Sequence, residues 1–221
     1  MTTHLLVDFG EVISHPQPPA AMRAMAEVLE VPGTAFRHRY WASREAYDRG
    51  LSAHDYWQLV AGRPVRGEQL MLLRRLDIES WTHLNFQTIA ALREARERGA
   101  QLTLLSNAPS DLVAEVRGSA VLRRLFPLML FSAELRVAKP EAEIFDAALA
   151  LAEVAAENTL FIDDRAENLH AARGGRIRTH HFHTATELRT ALDGIDFGVP
   201  RQRRPWWVRP RPAASRIRPT C

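Results

Sequence analysis

The chain is poor in cysteine, in lysine and in long apolar runs, and each scarcity narrows what it does. Cysteine occurs once, as Cys221, so no internal disulfide forms and the composition fits a reducing compartment, the cytoplasm. No stretch approaches the ~20 consecutive apolar residues that a membrane-spanning helix needs. The opening Met1-Thr2-Thr3-His4 has no basic segment, and the short apolar run behind it ends at Asp8; this pattern predicts no secretory signal peptide. Lysine also occurs once, as Lys139, so 28 of the 29 basic residues are arginine. In a chain that fills its other cation positions with arginine, a lone lysine is either chance or a place that needs a compact ammonium.

What is present is ordinary for a globular protein: 46% hydrophobic and 25% charged residues over 221 positions, enough for one large domain or a core with a modest insertion. The charge is unevenly spread. Residues 201–221 hold seven arginines and no acid, so the net +3 becomes −4 over residues 1–200 once those seven are set aside. Prolines 200, 205, 210, 212 and 219 lie among them, and a segment so rich in proline continues neither a helix nor a central strand. Residues 198–221 therefore read as an extended or flexible Arg/Pro-rich tail. Its arginines interleaved with Trp206-Trp207 suit RNA, single-stranded DNA or an anionic membrane surface. The preferred reading is plainer: the tryptophans pack back on the domain and the arginines are solvated.

Along residues 1–197, short apolar runs alternate with helical patterns. His4–Phe9, Leu102–Ser106, Leu128–Phe131, Thr159–Asp163 and Thr179–Phe182 read as strands; Phe86–Arg98, Asp111–Leu125, Pro140–Ala152 and Ala166–Arg173 read as helices. The alternation predicts right-handed βαβ units: an α/β, Rossmann-like parallel sheet flanked by helices. Residues 16–82 break it with helical stretches near 19–30, 34–48, 53–61 and 67–80, where Ser52 and Asp55 form a capping-box variant. The expected organisation is a core of 1–15 and 83–197 with a helical-bundle cap, 16–82, inserted after the first strand. The aromatics Tyr40, Trp41, Tyr47, Tyr56 and Trp57 read first as the insertion's own core, and second as part of a lid.

In open parallel sheets, ligands bind at the strands' C-terminal ends. The polar residues there are Asp8, Ser106, Asn107, Asp163 and Asp164, with Lys139 ahead of a helix after the third strand. Three converging carboxylates need a cation, and oxygen ligands without histidine or cysteine favour Mg²⁺. Ser106, Asn107 and Lys139 are donors suited to a phosphate or another oxyanion. A carboxylate in such a pocket can attack phosphorus to give an aspartyl-phosphate.

With these residues in place, the chain resembles the haloacid dehalogenase superfamily, in its phosphatase-like branch with a helical cap after the first strand. Val7-Asp8-Phe9-Gly10-Glu11-Val12 resembles motif one and Leu105-Ser106-Asn107 motif two. Lys139-Pro140-Glu141-Ala142-Glu143-Ile144-Phe145 resembles motif three, and Phe161-Ile162-Asp163-Asp164-Arg165-Ala166-Glu167-Asn168 motif four. The likeness runs from residue 4 to about 185. It implies that Asp8 is the nucleophile and that Mg²⁺ is held by Asp8, the Gly10 carbonyl and the motif-four acids, Asp164 directly and Asp163 through water or a hydrogen bond. Ser106, Asn107 and Lys139 would hold the phosphoryl oxygens, with Lys139 also restraining Asp8. Asn168 falls where many relatives place a further acid.

One position departs from the pattern. Family phosphatases usually carry a second Asp two residues after the nucleophile as the acid–base, and here that residue is Gly10. Such assistance is typically worth about 10²–10⁴-fold, most for poor leaving groups, so activated acyl, anomeric or aryl phosphates would suffer least. Glu11 and His15 are nearby substitutes in sequence, though plain solvated loop residues are the simpler reading of both. The expected function is a Mg²⁺-dependent phosphatase of a small phosphorylated metabolite. The alternatives are 2-haloacid dehalogenation, which needs no metal, and a catalytically impaired regulatory protein using the basic tail. His180, His181 and His183 lack a carboxylate partner and make a poor metal site. The alternating charges of 93–98 read as a solvated helix face.

Overall fold

The computed structural model describes residues 3–198, and its centre is a sheet made from four apolar runs and one polar edge strand. β1 (His4–Val7), β2 (Gln101–Ser106), β3 (Leu128–Phe131), β4 (Thr159–Asp163) and β5 (Arg178–His181) pair in parallel in the order β3-β2-β1-β4-β5. Alternate side chains of β1 enter two separate cores, Leu5 and Val7 on one face and Leu6 on the other, as the two-residue period of a strand dictates. Truncating a side chain buried like these to alanine costs about 2–5 kcal/mol.

The chain moves outward from β1 through β2 and β3, then returns to the far side of β1 for β4. That reversal opens a crevice at the strand C-termini, where sheets of this kind bind ligands. Register fixes which side chains meet there. Val7 pairs with Ile162, and the Asp8 amide donates to the Ile162 carbonyl at 2.9 Å. Asp8 and Asp163 therefore leave neighbouring strands at the same level.

Between β1 and β2 lie α1 (Pro19–Leu29), α2 (Gly33–Ala42), α3 (Arg44–Asp48), α4 (Ala53–Ala61) and α5 (Gly67–Trp81). These helices bury a core of their own that includes Met25, Phe36, Tyr40, Tyr47, Tyr56 and Trp57. The Ser52 hydroxyl caps α4, accepting from the Asp55 amide at 3.1 Å, as the spacing predicts. The segments entering and leaving the insertion pair with each other: the His15 amide donates to the His83 carbonyl (2.7 Å) and the Asn85 amide to that of Ile13 (2.8 Å).

After the insertion, α6 (Phe86–Glu97), α7 (Ser110–Gly118), α8 (Ala120–Leu125), α9 (Ser132–Leu135), α10 (Ala142–Ala152), α11 (Ala166–Gly174) and α12 (Ala185–Asp193) complete the layers. Residues of α6, α7, α8 and α12 pack with Leu5 and Val7, and residues of α10 and α11 with Leu6.

Some sequence expectations change. The single helix expected over 34–48 is two, because Ser43 interrupts the ladder. The expected 111–125 helix is broken by Ser119, whose extended backbone (φ −65°, ψ 115°) starts α8 afresh. The charges of 93–98 are not only a solvated face. Glu94 pairs with Arg189 of α12, and Arg98 donates to the Leu192 carbonyl at 2.9 Å. No helix among the described residues is long and apolar enough to cross a membrane. The tail and its readings, Trp206-Trp207 and nucleic acid included, lie outside the described residues.

Candidate active site

The crevice at the strand ends is a cavity of about 300 Å³ between the sheet and the helical insertion. Its floor carries Asp8, Gly10, Ser106, Asn107, Lys139 and Asp164, and its opposite wall carries Trp41, Arg44, Asp48 and Trp81 from α2, α3 and α5. Every residue expected to act as nucleophile, metal ligand or phosphate donor therefore borders the cavity except Asp163, which lies fully buried beside it.

Lys139 organises the floor. Its Nζ lies 2.6 Å from Asp8 Oδ1 and 2.7 Å from Asp163 Oδ2, and its side chain is only 2% exposed. Burial works against the ammonium, but the carboxylates of Asp163 and Asp8 outweigh it and raise its pKa above the usual lysine value. A compact point charge can serve two carboxylates from one position, which a planar guanidinium does poorly.

The Asn107 amide fixes the segment carrying this lysine. Its Nδ2 donates to the Lys139 carbonyl (2.8 Å), and its Oδ1 accepts from the Lys139 amide (2.9 Å). The side chain expected to grip phosphate thus spends its oxygen and one amide hydrogen on the Lys139 backbone. The Ser106 hydroxyl, at the end of β2, makes only a long 3.4 Å contact with the Asn107 carbonyl, which leaves it a donor for the cavity.

The two motif-four acids differ. Asp163 also accepts from the Arg165 amide (2.8 Å) and from Asn168 Nδ2 (3.0 and 3.1 Å), so its oxygens are committed within the protein. Asp164 faces the cavity, and the ring of His181 donates to its carbonyl at 2.8 Å. That bond gives His181 a structural task, holding the turn after β4.

Asp8, Asp163 and Asp164 each offer an oxygen within 4.8 Å of the others. One ammonium does not neutralise three such carboxylates. Burial pushes the Asp8 carboxyl up to about 7 against the pull of Lys139, with Asp163 adding to the rise. Burial, then Asp163 and Glu11, push Asp164 up to about 6. The floor is short of positive charge, and its donors are all oxygen. This suits a hard divalent cation such as Mg²⁺.

A Cβ built at Gly10 would lie 3.5 Å from Trp81 Cζ3, an ordinary van der Waals contact, so the glycine packs against the indole. Glu11 borders the cavity from an exposed position, whereas His15 does not border it.

The opposite wall was largely illegible in the sequence. Of the five aromatics noted there, Trp41 alone borders the cavity, 47% exposed, and its ring meets that of Trp81 edge-on at 6.3 Å. Arg44 and Asp48 have the spacing of an ordinary surface pair on a helix, yet Arg44 is buried and Asp48 half-buried, with Arg44 Nε 2.9 Å from Asp48 Oδ1. The only available signal was their position in an insertion that follows the first strand.

The fold and this site define a haloacid dehalogenase-like hydrolase. The model of that family matches residues 4–175, and the chain belongs to it. A phosphoserine phosphatase of Thermus thermophilus is 38% identical over 88 residues, 40% of this chain and 34% of that protein. The chain thus matches about a third of that curated relative's length. Among solved structures, a haloacid dehalogenase family enzyme of Bacteroides thetaiotaomicron, in complex with magnesium and inorganic phosphate, aligns with a TM-score of 0.67 at 20% identity. That alignment covers 83% of this chain and 95% of the other. A 2-haloacid dehalogenase of Pseudomonas syringae aligns with a TM-score of 0.58 at 17% identity, over 82% and 86% of the two chains.

Proposed function

We propose that this chain is a Mg²⁺-dependent phosphatase that uses Asp8 as nucleophile on a small phosphorylated metabolite, with the helical insertion as its cap. The observation that carries the reading is the charge balance of the floor: three carboxylates within 4.8 Å share one buried ammonium, beside a free hydroxyl and a cavity of about 300 Å³. Asp8, Asp164 and the Gly10 carbonyl would hold the Mg²⁺, with Asp163 steadying them through Lys139. The ion supplies the charge that lets carboxylates and a phosphoryl group share one pocket.

Asp8 is aimed by Lys139, which keeps its carboxylate oriented while leaving one oxygen for attack on phosphorus. Ser106, Lys139 and the remaining amide hydrogen of Asn107 are placed to receive the phosphoryl oxygens. The likeness to a relative crystallised with magnesium and inorganic phosphate supports the same reading. So does the local identity to a phosphoserine phosphatase.

The purified protein is expected to hydrolyse an aryl phosphate with Mg²⁺ and to stop in EDTA. The likeness to a 2-haloacid dehalogenase keeps a second reading in view, but the carboxylate cluster opposes it, because an unneutralised anionic floor repels a haloacid. Halide release from a 2-haloacid in EDTA would reverse this preference.

A further inference from the structure

We propose that Asp48, carried on the helical insertion, is the acid that protonates the leaving group and the base that then activates water. The inference rests on the phosphatase reading and adds to it the proton transfer that the floor cannot supply.

In-line attack puts the leaving oxygen on the side of phosphorus away from the nucleophile. Asp8 stands on the floor, so the departing oxygen points at the wall made by Trp41, Arg44, Asp48 and Trp81. Asp48 is the one carboxyl on that wall among the described residues. Position 10 on the floor is a glycine backed by the Trp81 ring. Glu11 borders the cavity from the loop after β1, but it is exposed to water.

Asp48 is also held as a proton donor should be. The Ser132 hydroxyl of the core donates to its backbone carbonyl, which ties its position to the sheet. Its side chain is 13% exposed and lies 2.9 Å from Arg44 Nε. Arg44 is shared, because its Nη1 also lies 3.4 Å from Asp77 Oδ1. Asp48 and Asp77 thus share one guanidinium, and the second carboxylate favours uptake of a proton by Asp48. The charged and titratable groups around Asp48 include Arg44 on its own helix, Tyr56 on α4, Asp77 on α5, and Arg165 across the cavity. Burial raises its pKa, Arg44 and Arg165 oppose the rise, and Asp77 adds to it.

The step balances. As Asp8 Oδ bonds to phosphorus and the P–O bond to the leaving group breaks, the Asp48 proton passes to the leaving oxygen, releasing an alcohol. Asp48, now a carboxylate, takes a proton from the water that attacks the aspartyl-phosphate. Inorganic phosphate leaves, and both carboxyls return to their starting states.

The test measures kcat/KM for dinitrophenyl, nitrophenyl, phenyl and simple alkyl phosphates, with Mg²⁺, across pH. Asp48→Asn keeps the shape and an acceptor for Arg44, and its rate on dinitrophenyl phosphate reports whether the protein is folded. Expected is a loss of about 10²–10⁴-fold in kcat/KM on alkyl phosphate and near wild-type kcat/KM on dinitrophenyl phosphate, because kcat/KM reports formation of the aspartyl-phosphate and not its hydrolysis. The decline of alkyl phosphate hydrolysis at alkaline pH should disappear, and Asp48→Glu should recover part of the lost rate. Glu11→Gln should keep the wild-type dependence on leaving group. An equal loss across the series, no loss, or the leaving-group signature in Glu11→Gln instead would overturn the assignment. A wild-type protein inactive on every phosphate in the series would remove the phosphatase reading itself, a result distinct from these.

Discussion

Asp8 sits in a contest between burial, which favours its neutral form, and Lys139, which favours the carboxylate. Burial prevails and brings its pKa up to about 7, against about 3.9 for a free aspartate. A carboxyl whose folded pKa is raised contributes stability that is present at low pH and lost as pH rises through the folded value. The metal-free protein should therefore lose this contribution between roughly pH 4 and 7. A cation bound to the carboxylates reverses the penalty, and it competes with protons for the same oxygens. Mg²⁺ is thus expected to raise the melting temperature more at pH 8 than at pH 5, as thermal melts with and without the ion would show. Equal shifts at the two pH values would mean that the ion binds elsewhere.

At the scale of elements, β1 is anchored at both ends by polar groups. Its C-terminal end presents Asp8. Its N-terminal end buries His4 between Thr159 and Thr103, at 3.2 and 2.9 Å. The Thr159 hydroxyl donates to the Ala155 carbonyl, so it accepts from His4 Nδ1–H and leaves Nε2 to accept from Thr103. Burial lowers the His4 pKa to about 4. Because the folded value lies below the unfolded one, its contribution is intact above about pH 6.5 and is lost as pH falls toward 4. Chemical denaturation at pH 7, 5.5 and 4.5 should show His4→Asn losing less stability over this window than the wild type; a parallel decline would refute the assignment.

The same strand shows what was legible in the sequence. Apolar runs closed by Asp8, Ser106 and Asp163 mark strands and site together, because a parallel sheet buries both its faces and exposes only its ends. The breaks at Ser43 and Ser119 were not legible, since each lies inside a pattern whose helical period continues past it. Nor was the Arg44–Asp48 pair on the cavity wall, because its spacing is that of a solvated ion pair and only tertiary packing distinguishes the two.

At the scale of the whole molecule, the insertion is fastened over the crevice chiefly by polar clasps, with Trp81 at the end of α5 joining the apolar core of the sheet. Arg74 grips Asp111 with two bonds of 2.7 Å, the Tyr47 hydroxyl donates to the same carboxylate at 3.1 Å, and Arg49 pairs with Glu141. Exposed pairs of this kind are individually weak, about 0–1 kcal/mol, so they register the insertion over Asp8 without locking it there. Floor and wall then meet in one cavity, the proposed nucleophile Asp8 below and the proposed proton donor Asp48 above. The most direct measurement of the central claim is to quench the enzyme in acid during turnover of an aryl phosphate with Mg²⁺, digest it, and weigh the peptide that contains Asp8. A phosphoryl group on Asp8, removed by hydroxylamine and missing from Asp8→Asn, is the predicted result. A phosphoryl group on another residue, or undiminished turnover in Asp8→Asn, would contradict the account.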